Sequence, residues 1–177
     1  MIVSKKMLIA VAAAIIIIAL AIAIPKLSPS GDQTVASASL LRIEYIKEDM
    51  KRISYGVTER TGALKSETLV IDEKGKAYYN LNIEGGKGSQ TKFQLSQQDM
   101  KRLKAILTDT GFMFIPKSEF AIKEDANEFT RYTLKITLDN QVKTVQWVNA
   151  DASQDFVPPL LTMLSDTLTK IVEEHSS

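Results

Sequence analysis

Proton transfer and metal binding draw mainly on imidazole, thiol and paired carboxylate groups whose surroundings tune their pKa values. The 177-residue sequence holds one histidine, no cysteine and 21 aspartates and glutamates. The histidine, His175, lies two residues from the end, where side chains are commonly solvated. A Ser-His-Asp triad or a zinc hydrolase site in its usual form needs a positioned imidazole, so the sequence points away from both. Carboxylate-only chemistry stays open, because Glu119, Glu124, Asp125 and Glu128 fall in one acidic stretch. Their spacing is not that of the twelve-residue calcium loop between two helices, and a solvated acidic loop is the reading adopted.

Two short motifs imitate known sites. Ser89-Gln90-Thr91-Lys92 has the Ser-x-x-Lys spacing of penicillin-recognising enzymes, in which a helix brings the amine to the hydroxyl. Here the four residues enter a strand, where positions three apart point to opposite faces, and the companion motifs are missing. Gly85-Gly86-Lys87-Gly88-Ser89 superficially matches a phosphate cradle but lacks the Gly-x-x-x-x-Gly-Lys-Ser/Thr order, and no helix follows directly. It reads as a hairpin tip. Trp147 shares its strand face with Val145 by two-residue alternation, which assigns it to a core rather than to a partner contact.

The elements that would position these residues follow from periodicity. Leu40 to Lys51 is ambiguous, since Ile43, Ile46 and Met50 fit a helical face while Leu41, Ile43 and Tyr45 alternate like a strand. Ile53, Tyr55 and Val57 alternate as a strand, Thr58 to Lys65 reads as a polar connection, and Thr68 to Ile71 forms a second strand closed by the turn Asp72-Glu73-Lys74-Gly75. Ala77, Tyr79, Leu81 and Ile83 mark a third strand, and Phe93 with Leu95 a fourth. Ser96 and Asp99 are spaced to cap a helix whose Met100, Leu103, Ile106 and Leu107 form a stripe before Gly111. Phe112, Phe114 and Ile115 are expected to pack as the chain leaves it. Tyr132 to Leu138 and Val142 to Val148 flank Asp139-Asn140 as a hairpin. Pro158 and Pro159 open a closing helix with Leu160, Leu161, Leu164, Leu168, Ile171 and Val172 on one face.

Met7 to Ile24 is a run of 18 uncharged, mostly apolar residues behind Lys5 and Lys6 and ahead of Pro25 and Lys26. At about 1.5 Å per residue it spans roughly 27 Å, close to the hydrocarbon thickness of a bilayer. The lysine asymmetry predicts a cytoplasmic amino terminus and an exported domain. Cleavage as a secretory signal is the rival, through Ala21-Ile22-Ala23 or Ala36-Ser37-Ala38, although the run exceeds the usual length of a signal core. Without cysteine the domain relies on its core, with no disulfide and no lipid-modified thiol. The net charge of +1 from interspersed charges disfavours nucleic-acid binding.

The pieces Leu95-Ser96-Gln97-Gln98, Leu103, Leu107, Phe112, Asp125, Tyr132-Thr133-Leu134, Val145, Pro158 and the Leu160, Leu164, Leu168 series resemble the emfourin-type inhibitors of thermolysin-like metallopeptidases and related membrane-anchored or lipoprotein domains. The resemblance covers roughly Arg52 to Val172 and implies their topology. Arg60-Thr61-Gly62-Ala63-Leu64 stands where that family has a Gly-Gly-x-Ala-Gly bend, so no functional residue is carried over.

The sequence therefore predicts an α+β fold with a mostly antiparallel sheet of about five to six strands and two helices packed on one face, preceded by a transmembrane helix. The expected division is a cytoplasmic tip at 1–6, a signal-anchor at 7–25, a linker and juxtamembrane segment at 26–50 and an extracytoplasmic domain at 51–175. The expected function is non-enzymatic protein binding, of peptidase-inhibitor type, without a cofactor. Membrane lipid is contacted through residues 7–24, and a protein partner at the outer membrane face through Arg60, Thr61, Gly62, Lys87, Glu124, Asp125 and Glu128. An accessory subunit assembling through the small residues of its membrane helix and a carboxylate-dependent hydrolase are the alternatives.

Overall fold

The computed structural model describes residues 40–56 and 58–175, so the expected cytoplasmic tip, signal-anchor and linker as far as residue 39, and the strand position Val57, lie outside the described residues. Among the described residues no helix is long and apolar enough to cross a membrane. The elements run β1 (Leu41–Tyr55), β2 (Thr58–Ile71), β3 (Lys76–Ile83), β4 (Ser89–Gln94), α1 (Gln97–Asp109), a 3-10 turn (Phe112–Phe114), β5 (Glu128–Leu138), β6 (Gln141–Val148) and α2 (Pro159–His175). The strands form one six-stranded sheet in the order β4-β3-β2-β1-β5-β6, every neighbouring pair antiparallel.

The ambiguous stretch is a strand, and the sheet therefore begins at Leu41 rather than at residue 51. Ile43 lies between Ile71 and Ile136, and Tyr45 between Leu69 and Leu134. The two-residue alternation wins over the helical spacing because it sends Leu41, Ile43 and Tyr45 together to a covered face, where each is buried. The polar connection expected at Thr58 to Lys65 is likewise strand, paired with the second half of β1 from Asp49 to Tyr55. Its side chains are polar because that half of the hairpin stands largely in solvent.

The main core joins this one sheet face to both helices. Leu69, Ile71, Ala77, Tyr79, Leu134, Ile136, Val145 and Trp147 meet Leu103 and Leu107 of α1 and Leu161, Leu164, Leu168, Ile171 and Val172 of α2. Trp147 stacks on Tyr132 with ring centroids 5.3 Å apart. A smaller cluster of Met50, Phe129, Val148 and Ala152 lies on the opposite face, roofed by the loops before β5 and after β6, which are tied together by Lys123 N donating to Ala152 O at 2.9 Å and Gln154 N to Ala121 O at 2.8 Å.

Local chemistry sets the helix ends. The Asp99 amide donates to Ser96 Oγ at 3.1 Å and the Ser96 amide returns a bond to Asp99 Oδ2 at 3.3 Å, a reciprocal capping box. Gly111 follows in the left-handed region at φ 71°, which a side chain would resist. Phe112 is fully buried as expected, whereas Phe114 turns outward and is 85% exposed, because the 3-10 turn points it away from the core.

Ser96→Ala should lower stability by about 1 kcal/mol through loss of the cap, and Leu164→Ala by about 2–5 kcal/mol through a core cavity. Denaturation followed by the emission of Trp147, the single tryptophan, measures both.

Candidate functional site

Antiparallel connections bring the ends of β1, β3 and β6 and the beginnings of β2, β4 and β5 to one end of the sheet. At that end stand Arg60, Thr61 and Gly62 on β2, Lys87 in the β3–β4 turn, and the stretch from Glu124 to Glu128 entering β5. The residues chosen from sequence thus stand at one end of the sheet, in three separate segments, and only Arg60 and Gly62 among them line a groove there. Leu40, where the chain joins the sheet, lies at the other end beside the turn at Asp139, whose amide donates to Leu40 O at 2.8 Å.

The converging end is built around a projecting arm. β1 pairs with β5 only as far as Lys51, while its pairing with β2 continues to Tyr55. A β-bulge interrupts β1–β2 where Asp49 pairs with Lys65 and Met50 with Ala63, leaving Leu64 without an opposite residue. The extra residue turns Gly62 and Arg60 to the helix-bearing side together with Lys51 and Ile53. The main core includes nothing of β1 beyond Tyr45 and nothing of β2 before Leu69, so this side of the arm is open. A groove of about 270 Å³ runs there, lined by Lys51, Ile53, Arg60, Gly62, Ala63, Leu64 and Glu84. Ile53 and Leu64 are exposed, and a side chain at Gly62 would meet nothing within 4 Å.

One ion pair and two hydrogen bonds hold the arm to β5 and the loop before it. Lys51 Nζ lies 2.7 Å from Glu128 Oε1, which raises the lysine pKa and lowers that of the carboxylate. Arg52 donates its backbone amide to Asn127 O at 2.7 Å and its guanidinium to Glu124 O, and it reaches Glu59 Oε2 at 4.0 Å. Arg60 and Lys87 enter no ion pair among the described residues and are exposed. Between arm and helices, Glu67 receives Lys65 at 2.7 Å, Lys47 at 3.6 Å and the Tyr79 hydroxyl at 2.7 Å. Burial alone would raise its pKa, but the bonds from Lys65 and Tyr79 and the charge of Lys47 outweigh burial and hold it below the ordinary value. Tyr79 is pushed up by burial and by Glu67. Burial also raises Tyr45, whose hydroxyl has no hydrogen-bond partner of normal geometry.

Other candidates are dispersed. Glu128 belongs to β5 rather than to a loop, and Glu119 bridges to Gln146 beside β6, so the four acids do not gather. Asp125 is exposed in the loop. Ser89 pairs with Leu81 and Lys92 with Tyr78, which puts serine and lysine on opposite faces. His175 is not simply solvated: its ring stacks on Phe93 at 4.7 Å and its Nδ1 lies 2.9 Å from Ile171 O. Sequence reasoning missed Lys51, Ile53, Ala63, Leu64 and Glu84, because only the strand pairing and its bulge show that they share one groove. Comparison of the sequence with protein-family models and with characterised proteins finds no match.

The folded-state pKa of Glu67 is depressed, so its stabilisation is complete above the unfolded carboxylate value of about 4.3 and is lost as pH falls through the lower folded value. Glu67→Gln should therefore flatten the acid limb of a stability–pH curve. It should also cost on the order of 1–2 kcal/mol at neutral pH, because Lys65, Lys47 and Tyr79 lose a charged acceptor.

Proposed function

We propose that this chain is a membrane-tethered, extracytoplasmic, non-enzymatic domain that binds a protein partner through the arm end of its sheet, in the manner of a small peptidase inhibitor. The observation that carries the reading is the groove beside the bulge. Exposed Ile53 and Leu64 line it together with Lys51, Arg60 and Glu84, and a Cβ at Gly62 would meet nothing within 4 Å. Specific interfaces combine apolar and polar groups in one patch, and a projecting two-stranded arm offers backbone and side chains to a partner along its length.

The tether supports the same reading. The apolar run from Met7 to Ile24 and the 14 residues from Lys26 to Ser39 precede the domain. The chain enters the sheet at Leu40, at the end away from the arm. Arg60 and Lys87 add charge that no described side chain neutralises, suited to an acidic position on the partner.

Affinity capture of the full chain from solubilised membranes tests this proposal. The native protein should retain a stoichiometric exported protein. Leu64→Asp or Gly62→Trp should weaken retention by roughly 30-fold, the effect of losing about 2 kcal/mol at an interface centre, with an unchanged thermal midpoint. Undiminished capture by both variants would refute the assignment of the groove.

A further inference from the structure

Phe114 and Phe156 are the two most exposed large apolar side chains among the described residues, at 85% and 81%. Neither sits on a loose tip. Met113 and Ile115, on either side of Phe114, pack against the main core, as does Val157 after Phe156. The Phe114 amide donates to Gly111 O at 2.9 Å, and Ser153 Oγ donates to Asp155 O at 2.9 Å. Lys117 Nζ meets Asp155 Oδ2 at 2.6 Å, joining the two segments, and Asp155 also accepts the Ala121 amide at 2.7 Å. Two aromatic rings are therefore held outward by ordered backbone on either side of one ion pair.

Outward-pointing rings on ordered backbone suit the boundary of a bilayer, where they enter among the acyl chains, while the Lys117 ammonium is taken up by Asp155. A concave, enclosed partner site would instead present a pocket. The chain itself brings the lipid near: residues 26–39, fully extended, reach at most about 50 Å from the apolar run, so contact with the bilayer is an intramolecular event at high effective concentration. We propose that Phe114 and Phe156 are interfacial insertion points that seat the domain on the lipid surface of the membrane carrying its N-terminal segment. This inference rests on the membrane-tethered reading above.

The absence of cysteine allows single-site labelling of the full chain. Cysteine replacing Phe114, Phe156 or, as reference, the exposed edge residue Gln90 is coupled to an environment-sensitive NBD probe, and each protein is reconstituted into vesicles of phosphatidylcholine and phosphatidylglycerol. Folding is checked by Trp147 emission, which these exposed replacements should leave unchanged. Blue-shifted emission and several-fold stronger quenching by bilayer-embedded spin labels at 114 and 156, but not at 90, is the expected result. A chain that floats with its vesicles while all three probes stay aqueous overturns the proposal and leaves the tether intact; it is the outcome expected if a protein covers this patch and the shallow groove of about 590 Å³ beside it along α2. A chain that alkaline carbonate strips from the vesicles removes the tether reading, and this proposal with it.

Discussion

The structure depends on β1 being paired along both edges. From Ile43 to Lys51 it lies between β2 and β5, paired along both edges, while Ile43 and Tyr45 enter the main core. Beyond Lys51 only β2 continues beside it. Two-stranded ribbons are marginal alone in water, so the arm persists through what fastens its base: the Lys51–Glu128 ion pair, the bonds from Arg52 to Asn127 and Glu124, and the small cluster around Met50 and Phe129. Core and arm are two consequences of a single strand longer than one of its neighbours.

The two faces of the sheet divide the energetic work. Apolar burial against the helices is concentrated on one. On the other, directly opposed side chains form charge pairs, Glu44 with Lys135 at 3.2 Å and Glu48 with Arg131 at 2.8 Å. Such half-exposed pairs each contribute a few tenths to about 1 kcal/mol. Their larger effect is on register, since a one-residue slip would carry charge into the core and leucine into water.

Features fixed within a few residues were legible in the sequence: the capping box at Ser96 and Asp99, the left-handed Gly111, the hairpin at Asp139-Asn140, and the apolar stripes of both helices. What escaped depends on partners far along the chain. Leu41 to Met50 becomes a strand because β2 and β5 arrive on either side, and Thr58 to Lys65 looks like a loop because an arm in solvent has no apolar face to advertise. At the site, Arg60, Gly62 and Lys87 could be named as surface residues of a bend and a turn. The groove could not, because Ile53, Leu64 and Glu84 meet only through a bulge whose register is set by pairing. Phe114 reads as a core residue by its neighbours' company, and the 3-10 turn sends it the other way.

The bulge at Leu64 also separates two clocks. Core residues on β2 keep the phase dictated by burial, while the arm beyond Leu64 runs on its own alternation, reset by one residue. Insertion or deletion of a residue pair on each side of the tip at Gly56 would lengthen or shorten the arm without disturbing a single core contact. A lineage carrying this fold can therefore retune the reach and the side-chain pattern of its projecting surface while the part that determines whether the chain folds stays constant.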